Sequence, residues 1–341
     1  MTPRVALIGA GYFAQFHLEA WQRLAQEGLC ELVAVCDSDI KKALEAASST
    51  EASPYTDAAQ LINECELDLV DIVTPPSSHA ALLHLTLAKR LPSICQKPVA
   101  PTFNEAKQLA EQVQRSSVAV WVHENFRWMP WYREMKAAIA SGALGSLHDI
   151  AFRLRPGDGQ GADAYLSRQP YFQAMPRFLV HETLIHLIDT FRFLMGEVVA
   201  VSAQLRRVNP VIAGEDAGYV LFRFESGATG LIDANRLNDH AAKNSRLTMG
   251  EAWLAGSGGV MRLDGDGGLF WKAHQTPETI RPYHWQDKSF GGDCVYHQQR
   301  HVLNAFAGRE APVNLLGDYL RNVQIEEAIY ESDAQRREIL V

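Results

Sequence analysis

The sequence has little of what would tie it to a membrane, a nucleic acid or an oxidising compartment. Cysteine is sparse in its 341 residues: Cys30, Cys36, Cys65, Cys95 and Cys294, an odd number with no Cys-x-x-Cys spacing. That argues against a disulfide scaffold and leaves free thiols in a reducing compartment as the plain reading, with a nucleophilic or metal-binding thiol as the lesser alternative. No apolar run approaches the roughly 18 residues needed to span a bilayer. No dense Lys/Arg run occurs, and the net charge is -8. A nucleic-acid footprint is therefore not expected, and neither is a membrane partner. No charged-then-apolar leader precedes Val5-Ala6-Leu7-Ile8, so the expected location is the cytoplasm. Hydrophobic residues at 47% and charged residues at 21% exclude a disordered chain and fit a globular one of two domains.

What is present is an alternation. Short apolar runs at Val5–Ile8, Leu32–Cys36, Leu69–Val73, Ser93–Cys95 and Val118–Val122 are separated by helical patterns. Nearly continuous hydrophobicity marks strands buried on both faces. Phe13, Phe16, Ala20, Trp21 and Leu24 share one helical stripe, and Thr102 with Glu105 has the spacing of a capping box. The pattern predicts an α/β chain: a Rossmann doubly wound parallel sheet over residues 1–123, then a mixed region rich in antiparallel strands over 124–341.

Ligands of a doubly wound sheet bind at the carboxyl ends of its strands. Four features fall there. Gly9-Ala10-Gly11-Tyr12-Phe13-Ala14 turns a strand into a helix. Gly9 permits the tight turn, Gly11 lets the backbone approach a pyrophosphate, and Ala14 lets the helix pack close. The helix N-terminus, with Tyr12 and Phe13, offers N–H groups to phosphate. Asp37 stands 23 residues after Ala14, close to the offset of about 20 for a ribose-binding carboxylate. It favours NAD, with Ser38 beside it, and would repel a 2′-phosphate; Lys41 and Lys42 keep NADP open. Asp37 or Ser38 could instead cap the next helix. Thr74-Pro75-Pro76-Ser77-Ser78-His79 forces an extended exit from a strand, and Ser77 or Ser78 can cap the helix that follows. Gln96-Lys97-Pro98 places a lysine at a strand end.

The second domain carries one conspicuous helix, from about His181 to Met195. Leu184, Leu187, Ile188, Phe191 and Leu194 form its apolar stripe, and Gly196 stops it. Glu182, His186 and Asp189 are four and then three residues apart, which puts them on another shared face. His181 and His186 are five apart, whereas a zinc-protease helix needs four, so no metal is expected. Strands are expected around Ile150–Leu154 and Val199–Leu205, and a hairpin over Tyr219–Glu225 and Ala228–Ala234.

In order and spacing, the glycine turn, the Thr-Pro-Pro-x-x-His loop, the Lys-Pro pair and Glu182…His186…Asp189 resemble the glucose–fructose oxidoreductase / inositol dehydrogenase / rhizopine-catabolism family. The resemblance covers essentially the whole chain and is looser after residue 200. It implies that Lys97 contacts the nicotinamide and the reacting oxygen. The family usually has Glu where this chain has Gln96. It also implies that Thr74, Pro75, Pro76, His79, Gln96 and Asn125 line the cofactor, that Arg127 and Asn125 meet substrate, and that the second domain is α+β with a large, mostly antiparallel, open-faced sheet. His186 becomes the general acid/base, since an imidazole titrates near working pH, and Glu182 orients it or holds a substrate hydroxyl. Arg155, Arg168, Tyr171, Tyr296 and His297 are weaker substrate candidates that read more readily as structural. Phe126, Trp128, Trp131 and Tyr132 read as core. The implied activity is NAD(P)-dependent hydride transfer on a carbohydrate, by a homodimer or homotetramer. A redox-cycling glycosidase with tightly held NAD, or a cofactor-binding regulator without catalysis, are the alternatives.

Overall fold

The computed structural model describes residues 2–341. The chain forms two compact units, one of residues 1–125 with 295–321, the other of 126–294 with 322–341. A division near residue 123 was expected; the return of 295–321 to the first unit was not. Among the described residues no helix is long and apolar enough to cross a membrane.

The first unit is built on six parallel strands: β1 (Arg4–Ile8), β2 (Glu31–Cys36), β3 (Ser53–Tyr55), β4 (Leu69–Ile72), β5 (Ser93–Gln96) and β6 (Val120–His123). Their order is β3-β2-β1-β4-β5-β6, the dinucleotide-binding order in which the chain reverses direction beside β1. Helices α1 (Ala14–Gln26), α2 (Ile40–Ala47), α3 (Ala58–Glu64), α4 (Pro76–Ala88) and α5 (Phe103–Ser116) connect them. The five apolar runs are all strands. β3 escaped prediction because Ser-Pro-Tyr is short, polar and at the sheet edge, where proline costs no ladder bond. On α1 the buried stripe is Ala14, His17, Ala20, Trp21 and Leu24; His17 is in it and Phe16 is only half-buried. The Thr102 hydroxyl accepts the Glu105 N–H at 3.3 Å, as expected, but the Glu105 carboxylate accepts from that hydroxyl rather than from the backbone. The later segment adds α8 (Cys294–Phe306), and α9 (Leu316–Gln335) begins in this unit.

The second unit has α6 (Pro130–Ala140), β7 (Leu147–Leu154), α7 (Ile185–Met195), β8 (Val198–Arg206), β9 (Ala217–Phe224), β10 (Thr229–Asn235), β11 (Gly250–Gly256), β12 (Gly259–Leu263), β13 (Leu269–Ala273), β14 (Thr279–Ile280) and β15 (Ile339–Leu340). They form one nine-stranded sheet, β14-β13-β12-β11-β7-β10-β9-β8-β15. It is antiparallel except where β7 pairs with β10. The expected hairpin is β9–β10. One face is apolar and buried: Ile150, Phe152, Val220, Phe222, Ile232 and Leu254 alternate with outward residues. The apolar stripe of α7 lies on it, with Phe191 and Phe222 edge to face at 5.4 Å. Gly230 makes the seat, since a Cβ there would come within 3.2 Å of Phe191 and Phe224 ring atoms.

Truncating this contact tests the packing. Phe191→Ala should cost about 3–5 kcal/mol, read as a lower denaturant midpoint with an unchanged slope.

Candidate active site

The carboxyl ends of β1, β2 and β4 meet at Gly9. Its φ is +103°, and a Cβ would lie 2.4 Å from the Val73 carbonyl oxygen. Only glycine fits there. The Gly9 N–H is bonded to the Cys36 carbonyl at 2.7 Å. At Gly11 the reverse holds: a Cβ would meet nothing within 4 Å. That open space lies before α1, where a phosphate would use the helix N-terminus. Ala14 is buried, as close packing of α1 requires. Tyr12 is exposed and Phe13 half-buried. The glycine turn thus fits a pyrophosphate.

Asp37 does not cap α2; Asp39 does, accepting the Lys41 N–H at 3.0 Å. The Asp37 carboxylate is instead held at the end of β2 by the Ala10 N–H at 2.8 Å and the Asp39 N–H at 2.9 Å. Ser38 beside it is exposed. The residue that fixes the glycine turn is therefore the one expected to face a ribose.

The Thr-Pro-Pro loop departs from expectation in two ways. Pro75 is the N-cap of α4 and Pro76 its first residue, where the missing N–H costs nothing. Ser77 and Ser78 lie inside the first turn and cap nothing; the Ser78 hydroxyl turns back to Thr74 and Pro75. His79 is fully buried rather than turned towards a ligand. Its Nε2 lies 2.8 Å from the Thr74 carbonyl and its Nδ1 3.2 Å from that of Val99. Burial pulls this imidazole below its ordinary value, against the carbonyls that favour its proton. His79 ties the Thr74 loop to the segment after Lys97.

Gln96 is also turned inward. Its Oε1 accepts the Lys97 backbone N–H at 2.7 Å, and its Nε2 faces His17. Lys97 itself is half-buried at the strand end, and Asn125 is buried just past β6. Tyr296 and His297 lie on α8 of this unit. The Tyr296 hydroxyl bonds the Glu27 carboxylate at 2.8 Å, under the Arg23 guanidinium, and His297 is exposed. Burial pushes the thiols of Cys36 and Cys30 up to about 11 and about 12, and that of Cys95 in the same direction. None of these three supplies a thiolate near neutrality.

In the second unit the expected helix is not α-helical throughout. Leu179–Leu184 is a π-helical stretch that runs into α7 at Ile185. Glu182 lies in the π-helical stretch and His186 in α7, so their four-residue spacing does not run within one α-helix. The entry is held from a distance: the Glu215 carboxylate accepts the N–H groups of Phe178 and Val180 and the hydroxyl of Tyr330. His186 is buried to 8% exposure. Its ring stacks on Phe126, centroids 4.2 Å apart and planes within 6°. Glu182 is half-buried.

Asp189 lies one turn further along α7 and is buried. It is bonded by Arg127 through Nε and Nη2, both at 2.6 Å, and by Asn322 Nδ2 at 2.8 Å. Arg127 was expected to meet substrate; its fork is committed to a buried carboxylate, and losing either partner would strand the other. The Arg155 guanidinium bonds the Leu154 carbonyl, the Asp233 carbonyl and the Asp233 carboxylate. Arg168 belongs to a cluster missed in the sequence. Asp158 is bonded by Arg236 and Arg168. Burial pushes the Asp158 carboxyl up, but Arg236 and Arg168 outweigh it and hold the group below its usual range. The Arg236 guanidinium also lies over the rings of Tyr165, Phe172 and Phe178 and bonds the Thr183 hydroxyl. It pins the segment around residues 158–178 beside Glu182, leaving Tyr171 exposed. Phe126, Trp128, Trp131 and Tyr132 are buried, as read. Among the described residues no cluster of three His, Cys, Asp or Glu could hold a metal.

Comparison with known proteins adds the chemistry. Residues 3–124 match the family model described as "Oxidoreductase family, NAD-binding Rossmann fold", and residues 132–262 match its C-terminal domain. The chain is 33% identical to a D-apiose dehydrogenase of Paraburkholderia graminis, covering 98% of this chain and 88% of the relative. A D-apiose dehydrogenase of Rhizobium rhizogenes is 31% identical, covering 98% and 96%. Among solved structures, an oxidoreductase from Agrobacterium radiobacter with NAD+, L-tartaric acid and magnesium superposes with a TM-score of 0.90. It is 29% identical and covers 100% of this chain and 98% of that one.

Gly9→Ala should abolish dinucleotide binding and lower the melting temperature, because the added methyl group must displace β4. Isothermal titration with NAD and a thermal melt would check both.

Proposed function

The chain belongs to the GFO/IDH/MocA family of oxidoreductases with an NAD-binding Rossmann fold, and on that footing we propose that it oxidises a small sugar at a hydroxyl-bearing or hemiacetal carbon, with D-apiose as the leading substrate. The observation that carries this is the near full-length likeness to two D-apiose dehydrogenases.

The glycine turn from Gly9 to Ala14 binds the pyrophosphate with the N-terminus of α1. Asp37 accepts the adenosine ribose hydroxyls, and its charge favours NAD over NADP. Thr74, Pro75 and Pro76 shape the same edge. We assign Lys97 to the nicotinamide end, where its ammonium stabilises oxygen that gains negative charge. His186 takes the hydroxyl proton, its ring oriented by the Phe126 stack. Glu182 positions the imidazole or a substrate hydroxyl. NAD held by these residues would supply the hydride acceptor for that carbon.

The outer face of the large sheet supports self-association, as a dimer or tetramer. Leu221, Leu231, Ala151, Trp253, Arg262, Phe270 and Ile280 stand in register across seven strands. Leu221 is 53% exposed and Ile280 74% exposed. A mostly apolar row of this kind, interrupted by Arg262, which pairs with Glu278, supports an interaction surface. The cytoplasm remains the proposed location.

Two experiments test these readings. NAD and NADP are screened against D-apiose, other aldoses, ketoses and cyclitols by nicotinamide absorbance. D-apiose with NAD should give turnover, and Lys97→Met and His186→Ala should each lower kcat by about 10²–10⁴. Bound cofactor with no turnover across the panel would sink the proposal. Leu221→Glu should reduce the mass measured by light scattering to that of a smaller assembly; an unchanged mass would acquit this face.

A further inference from the structure

The buried polar groups of the first unit form one path, and it ends at Lys97. Asp71, inside β4, is fully buried. Its Oδ2 accepts from Trp21 Nε1 at 2.7 Å and from Gln299 Nε2 at 3.1 Å, and lies 2.7 Å from His17 Nδ1. His17 Nε2 lies 3.2 Å from Gln96 Nε2, and Gln96 Oε1 lies 2.7 Å from the Lys97 backbone nitrogen.

The chemistry of the end groups fixes every proton. A backbone N–H can only donate, so the oxygen of Gln96 faces Lys97. The amide nitrogen of Gln96 then donates to His17, which makes His17 Nε2 an acceptor. The imidazole proton is on Nδ1, where Asp71 accepts it. His17 is neutral, in its Nδ1–H tautomer.

A glutamate at position 96, the residue usual in this family, could not close the path in the same way. One oxygen would accept the Lys97 N–H, and the other would set a lone pair against that of His17 Nε2. A proton would have to be added at one of the two. Gln96 supplies that hydrogen without a charge.

We propose that Gln96 and His17 are matched positioning residues for Lys97. Anchored on Asp71, they fix the Lys97 peptide at the end of β5 without an ionisation at either position. The proposal rests on the assignment of Lys97 above. The other groups facing His17 are few. His123 of β6 lies against it with ring centroids 4.0 Å apart and planes tilted by 38°, and Phe13 meets its edge. Cys95 of β5, beside Asp71, is a thiol held neutral by burial. From α8 comes the Gln299 amide.

The test uses the full-length enzyme. Gln96→Met removes both bonds, and kcat should fall about tenfold while NAD affinity stays within about twofold. Gln96→Glu should add an ionisation to the kcat–pH profile that the wild type lacks. A kcat for Gln96→Met within twofold of wild type, or a Gln96→Glu profile superimposable on wild type, would overturn the proposal. Should the variants fail to fold, ¹⁵N imidazole spectra of the wild type decide, with His17→Gln identifying the signal: Nδ1 protonated and Nε2 bare is expected, and a proton on Nε2 overturns it. Turnover that survives Lys97→Met would instead sink the assignment of Lys97, and is distinguishable from both.

Discussion

The nucleotide half of the molecule depends on a place where a side chain cannot be. At Gly9 the ends of three strands close on one Cα: the N–H is spent on Cys36, and the space a Cβ would need belongs to the carbonyl of Val73. Because β1 can turn that sharply, α1 starts close to the sheet and its N-terminus opens at Gly11. Because the turn is then held by Asp37 through Ala10, the carboxylate at the end of β2 is fixed to the same backbone. The glycine turn and the carboxylate we propose for the ribose are thus joined in one backbone unit, set by the steric limit at Gly9 and held by the Asp37–Ala10 hydrogen bond.

The second unit solves a different problem, how to keep charge inside an apolar helix. Asp189 would be costly in that position alone. The planar fork of Arg127 and the amide of Asn322 satisfy it. Upstream, Glu215 does for the π-helical entry what a capping side chain does for an ordinary helix. His186 lies between these two anchors, its ring flat against Phe126. What fixes the imidazole is a set of buried partners that never need to touch a substrate.

Much of this was legible in the chain, and the boundary has a physical cause. Strands buried on both faces announce themselves as apolar runs, and a glycine that tolerates no Cβ announces itself as a glycine. The buried face of α7 followed from periodicity. Features set by partners distant in sequence did not. Arg127 and Asp189 are 62 residues apart, Glu215 acts on a helix more than 30 residues before it, and Arg155 reads as a free cation until its strand is paired. The π-helical stretch has no periodicity of its own, so Glu182 and His186 looked α-helical. One signal was visible and unused: Asp71 sits alone in Leu69-Val70-Asp71-Ile72-Val73, and a charge in a strand buried on both faces must have partners waiting.

The return of residues 295–321 to the first unit bears on how the protein is made. Gln299 from that segment completes the donors around Asp71, and Asn314 accepts the N–H of Val122 at the sheet edge. A ribosome delivers β1 to β6 first, yet the unit they belong to stays unfinished until the whole of 126–294 has been synthesised. During that interval β6 is an edge strand awaiting a neighbour, the kind of surface that recruits chaperones or other nascent chains. The half of the protein that begins first cannot be completed first.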